Sequence, residues 1–111
     1  GKVTKLQGEA NWELAASLLE RRVRAFYPWP SLHSSWKGRL IKILEAQVAD
    51  VFIKGVPGEV VYLDTGVAPV GVLTGKGVLL LKTIQIEGKS PMSAKAFLSG
   101  HSQFIGSSLP S

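Results

Sequence analysis

Residues 18–36 read LLERRVRAFYPWPSLHSSW, and the hydrophobic period changes inside that stretch. On its N-terminal side Ala15, Leu18, Leu19, Val23 and Phe26 recur at spacings of three and four, which predicts an amphipathic helix over residues 13–26. Asn11 is the candidate N-cap. Glu13 would stand in the first turn and Arg21, Arg22 and Arg24 in the last turns, charges that suit the two ends of the helix dipole. Pro28 and Pro30 stop the helix, because neither donates a backbone hydrogen bond and each pushes its predecessor toward extended geometry. At about 100° per residue, Arg21 and Arg24 fall opposite Leu19 and Phe26, with Arg22 on the border. These side chains must be solvated or bound to something.

Beyond the prolines, short β-branched and apolar segments alternate with glycine-containing turns, the pattern of an all-β sheet or barrel. Strands are expected near 32–36, 39–48, 59–64, 67–73 and 78–86. Turns fall at Lys37-Gly38, Pro57-Gly58, Thr65-Gly66 and Thr74-Gly75-Lys76-Gly77. In the second strand Leu40, Leu44, Ala46 and Val48 would share a face, and Lys42 in that alternation marks a bulge or an open end. Ser90-Pro91 and Ser93 start a short helix through Leu98, stopped at Gly100. The Ser-rich tail, residues 101–111, reads as flexible. Trp29 is expected to plug the core rather than to stand exposed as a stacking ring, and Trp12 and Trp36 are expected inside too. The fold class is therefore mainly β, with an N-terminal α-helix and a short C-terminal helix.

The chain has 111 residues, a net charge of +5, no cysteine, 45 % hydrophobic and 19 % charged residues. That suffices for one domain with its own core and excludes disulfide scaffolds and thiolate zinc sites. No apolar run approaches the roughly 18 residues that cross a bilayer, and no signal-peptide pattern opens the chain. A cytoplasmic protein is expected, bacterial or organellar, and a start at Gly1 without Met suggests a fragment. From Arg21 to Lys42 there are six basic residues and no acidic one. Such a block makes a polyanion the leading partner, through phosphate contacts that release counterions, while charge alone is equally compatible with a solvated basic surface. Catalytic groups are few: His33, His101, Asp50 and Asp64 lie far apart in sequence, no nucleophile elbow surrounds Ser34 and Ser35, and no spacing suits a metal. The Gly75-Lys76-Gly77 turn lacks phosphate-loop spacing and a following helix, so it reads as a hairpin tip.

The segment LERRVRAFYPWPS, together with Asn11-Trp12, PGEV at 57–60, TGKG at 74–77, LLLKTIQIEGK at 79–89 and MSAKAFLSG at 92–100, resembles in order the C-terminal domain of the methionyl-tRNA formyltransferase family. The hydrolase domain of 10-formyltetrahydrofolate dehydrogenase is similar over Leu79 to Gly100 but departs at Pro-Trp-Pro. The resemblance implies an open β-barrel similar to an OB-fold, beside an N-terminal catalytic domain of Rossmann type. That domain would transfer a formyl group from 10-formyltetrahydrofolate to initiator Met-tRNA and would hold all the catalytic residues. No catalytic, cofactor-binding or metal-binding role is then expected here. The expected partners are initiator Met-tRNA and the catalytic domain, in a monomer without membrane contact. Arg21, Arg24, Lys37, Arg39, Lys42 and Lys76 are the candidate RNA-binding residues. The family usually carries an acidic residue at the position of Lys76. The competing reading is a structural domain that only supports the catalytic one.

Overall fold

The computed structural model describes residues 5–111; the expectation about the start at Gly1 lies outside them. A 3-10 turn (Lys5–Gly8) precedes α1 (Ala16–Phe26), β1 (Leu32–Trp36), β2 (Arg39–Ala49), β3 (Val60–Tyr62), β4 (Val70–Leu73), β5 (Val78–Ile86), β6 (Met92–Ser93) and α2 (Ala94–Gly100). A second 3-10 turn spans Ser102–Phe104. All strand pairs are antiparallel, in the order β1-β2-β5-β4-β3, with β6 beside β5. The sheet curls around one main core into an open half-barrel. β1 and β5 fall where the prolines and glycines place them. β3 and β4 are shorter than expected, since the Thr65 hydroxyl accepts from the Val67 and Ala68 amides and draws the backbone into a local loop.

α1 starts three residues later than its periodicity suggests. The Asn11 side chain accepts from the Glu13 amide at 3.1 Å and closes a turn before the helix, so neither residue caps it. Ala15, at the N-cap, has no capping side chain. Instead the Ala16 amide donates to the Lys76 carbonyl at 2.9 Å, so the β4–β5 hairpin satisfies a helix-terminal N–H from 60 residues away. Gly75 makes this docking possible: a Cβ there would collide with the Glu13 carbonyl oxygen.

Along β2, Ile41 and Ile43 point into the core, and after register shifts at Glu45 so do Ala46 and Val48. The bulge changes the phase of the strand. Leu40, Lys42 and Leu44 therefore lie on the other face, correcting the expectation that Leu40 and Leu44 share a face with Ala46 and Val48. The core gathers Leu19 and Val23 of α1, Leu32, Ile41, Ile43, Leu79, Leu81 and Ile84 of the sheet, and an aromatic cluster. In that cluster Trp36, Phe97 and Phe104 meet edge to face at centroid distances of 5.2–5.5 Å. Ser93 caps α2, its hydroxyl accepting from the Ala96 amide at 3.0 Å.

The tail departs most from expectation. Rather than fraying, residues 101–111 fold back along the open seam of the half-barrel. The Gly106 amide donates to the Val60 carbonyl, Val60 to Ser107 and Leu109 to Gly58, which pairs the tail with the β3 edge. Farther on, the Ser111 amide donates to Ser35 and the Gly38 amide to Ser111, which joins the tail to β1 and its hairpin. Phe104 and Leu109 are buried beneath this strap, and the Trp36 indole N–H donates to the Ser107 hydroxyl at 2.8 Å. The tail thus occupies the backbone groups that an exposed strand edge would leave unpaired.

Candidate nucleic-acid interface

The six candidate cations occupy four parts of the fold. Arg21 and Arg24 are exposed on α1, one turn apart and away from the buried Leu19 and Val23. The Arg24 guanidinium is held in two-point contact by Glu20, Nε to Oε2 at 2.8 Å and Nη2 to Oε1 at 3.0 Å. This hydrogen bond, with the charge of the carboxylate, raises the Arg24 pKa above its ordinary value. Among the described residues Glu20 is the only acidic partner on α1, and Arg21 makes no ion pair. Arg21 is thus the exposed, unneutralised cation of the helix; Arg22, also without an ion pair among the described residues, is half-buried.

Lys37 and Arg39 sit together at the β1–β2 hairpin. Lys37 has φ 52°, in the left-handed region, and its ammonium lies 4.8 Å from the centroid of the Trp36 ring. Arg39 is exposed at the start of β2. Lys42 stands mid-strand, opposite His33 on β1 and Gln85 on β5. Lys76 is at the tip of the β4–β5 hairpin, by the start of α1. Ala49 faces Val78 at that end of the sheet and Ile41 faces Ile86 near the other, so the two hairpins are roughly 25 Å apart at about 3.3 Å per strand residue. The structure brings Arg21 next to Arg24 and Lys37 next to Arg39. Lys42 and Lys76 stand apart from both pairs.

The aromatic expectation holds for two tryptophans and fails for the third. Trp12 and Trp36 are 4 % and 6 % exposed, whereas Trp29 is 61 % exposed and Tyr27 58 %. The cause is the turn that ends α1. The Ser31 amide donates to the Phe26 carbonyl and its hydroxyl to the Pro28 carbonyl, both at 2.9 Å, which swings Pro30 inward against Gly8 and leaves Trp29 outside. Sequence gave one signal for this: a proline on either side of the ring permits only a few backbone paths.

The comparisons with known proteins bear on this geometry. The family model described as "Formyl transferase, C-terminal domain" matches residues 2–102. The chain belongs to that family. Methionyl-tRNA formyltransferase of Dehalococcoides mccartyi is 38 % identical over 109 residues, covering 98 % of this chain and 34 % of that protein. Methionyl-tRNA formyltransferase of Streptococcus gordonii is 40 % identical over 90 residues, 81 % of this chain and 28 % of that protein. A solved structure of HypX from Aquifex aeolicus has the same fold, with a TM-score of 0.70 at 20 % identity over 94 % of this chain and 18 % of that one. This formyl transferase C-terminal domain therefore spans about a third of the length of the curated relatives it matches.

Within this formyl transferase C-terminal domain, the titratable groups that could do acid–base work are dispersed. His33 is buried on β1, its Nδ1 3.0 Å from the Ser31 carbonyl oxygen. The His101 ring stacks on Phe97 at 4.4 Å. Asp50 and Asp64 are exposed in the loops after β2 and β3. No group of three or more metal-ligating side chains gathers among the described residues.

Proposed function

We infer that this domain holds the RNA substrate of a methionyl-tRNA formyltransferase. Initiator Met-tRNA would be kept in place while an N-terminal catalytic domain transfers the formyl group of 10-formyltetrahydrofolate to the methionyl amine. The observation that carries this reading is the solvent face of α1, where Arg21 has no carboxylate partner among the described residues and heads a stretch without acidic residues up to Lys42. Kinship with enzymes named for a tRNA substrate supports it.

Reaction at the end of a long nucleic acid needs the body of that molecule anchored, and binding energy far from the reacting atoms then serves orientation. Arginine suits the task, since its fork matches phosphate oxygens and keeps its charge at any working pH. Because phosphate contacts carry little sequence information, this domain supplies affinity and register rather than the choice of initiator over elongator tRNA. Lys37, Arg39, Lys42 and Lys76 extend the same field to both ends of the sheet. A titration with tRNA at several salt concentrations tests the reading: phosphate binding predicts a log–log slope of about −0.9 per contact. A slope near zero would leave only a supporting domain.

A further inference from the structure

We propose that Trp29, two residues after the equally exposed Tyr27, forms a stacking platform for an unpaired nucleobase of an RNA whose phosphates are held by α1. The proposal rests on the RNA-binding reading and adds to it a second, non-ionic contact. Of the three tryptophans Trp29 alone is exposed, although burying an indole would stabilise so small a fold considerably. The ring is displayed on a fixed support. Pro30 and Ser31 are buried, Ser31 sits at φ 65° in the left-handed region, and of its two hydrogen bonds one ties the turn to Phe26 at the end of α1 and the other closes the turn on Pro28. A support ordered beforehand lowers the entropy lost when a ligand stacks on it.

Charge decides what the platform accepts. Trp29 lies three residues beyond the end of α1, whose last turn carries Arg24, and the stretch from Arg21 to Lys42 contains no acidic residue; the exposed Glu9, bridged to His33, is the carboxylate nearest this turn from outside α1 and that stretch. Glu20, the acid just before this stretch, is already engaged by Arg24. A protein surface would have to cover two rings while facing those cations, whereas RNA offers phosphates for the guanidinium and a flat π-face for the indole in one molecule. The other exposed large apolar side chains, Phe52 with Val51 and Val56 in the β2–β3 loop, and Tyr62 at the end of β3 with Val67 in the loop after it, have Asp50 and Asp64 among them.

The burial of Trp12 and Trp36 makes the test selective, because an aqueous quencher such as acrylamide reads mainly Trp29. The probes are an unstructured RNA oligonucleotide and a blunt RNA duplex of equal phosphate count, titrated against the parent chain, Trp29→Ala and Trp29→Phe. Single-stranded RNA should shield the parent tryptophan from acrylamide. Trp29→Ala should weaken its binding about tenfold with the salt slope unchanged, and Trp29→Phe should restore most of the loss. Duplex affinity should be the same in all three. Equal single-strand affinity in parent and Trp29→Ala, with a steep salt slope in both, would overturn the platform and leave the phosphate reading standing. Absence of binding to either RNA would overturn both. Quencher protection of Trp29 in the longer enzyme before RNA is added would overturn the platform in favour of a contact between domains.

Discussion

Replacing Phe104 by alanine tests whether the C-terminal segment belongs to the core. The Phe104 side chain is fully buried and lies edge-on to Trp36 and to Phe97, each at 5.2 Å. Truncating a buried phenylalanine costs roughly 3–5 kcal/mol through lost transfer energy and the cavity left behind. Two aromatic contacts, at about 0.5–1.5 kcal/mol each, place this position in the upper half of that range. For a domain of this size the change corresponds to a fall in Tm of roughly 15–25 °C. Thermal unfolding followed by circular dichroism measures it, and urea titration should show a lower midpoint at unchanged slope. Ser108→Ala is the control, since its side chain is exposed and makes no hydrogen bond among the described residues, so it should stay within about 0.5 kcal/mol of the parent. A Phe104→Ala variant that melts within about 3 °C of the parent would show that the segment is frayed and that the seam is closed by nothing.

Further outcomes follow from the same geometry. Arg21→Ala should reduce the salt slope of tRNA binding by about one unit, read from titrations across salt concentrations; an unchanged slope would remove Arg21 from the interface. Glu20→Gln should tighten tRNA binding by releasing Arg24 from its carboxylate, and weaker binding in a variant of normal Tm would mean that the ion pair presents Arg24 in its working pose. Gly75→Ala should lower stability by on the order of 1–3 kcal/mol because a Cβ meets the Glu13 carbonyl; a melt matching the parent would show that the hairpin is not seated on the helix start. Glu20 raises the Arg24 pKa, so its charge persists below its ordinary pKa and is lost only as pH rises through the higher folded value. Affinity should therefore be flat between about pH 6 and 9, and a pH-dependent affinity in that window would show that groups other than the guanidiniums carry the binding.

How much could be read from sequence depended on the range of the interaction concerned. β1 and β5 were legible because Pro30 and Lys37-Gly38 bound one and Gly77 and Gly88 the other, all local constraints. The face of α1 was legible for the same reason: a period of 3.6 places Arg21 opposite Leu19 whatever the helix packs against. Its starting point was not, because the group that caps Ala16 is the carbonyl of Lys76. The phase of β2 depended on a bulge at Glu45, and Lys42 hinted at it without locating it. The tail defeated composition outright, since Ser107 and Ser111 read as mobile while their backbones bond to Val60, Ser35 and Gly38. Trp29 was misplaced because aromatic content predicts burial on average, and here a tied turn selects Pro30 instead.

The strap also has a bearing on synthesis. Its partners, Ser35 in β1 and Gly58 and Val60 near β3, are all translated well before residues 106–111. A growing chain can therefore assemble α1 and the ladder from β1 to β5 while the last backbone groups of β1 and β3 still lack their partners. During that interval the nascent domain carries two unprotected strand edges, the feature through which neighbouring chains associate. Truncation of the chain before residue 106 would fix that state, so solubility in the cell should depend on the residues of the seam more than on any other segment of equal length.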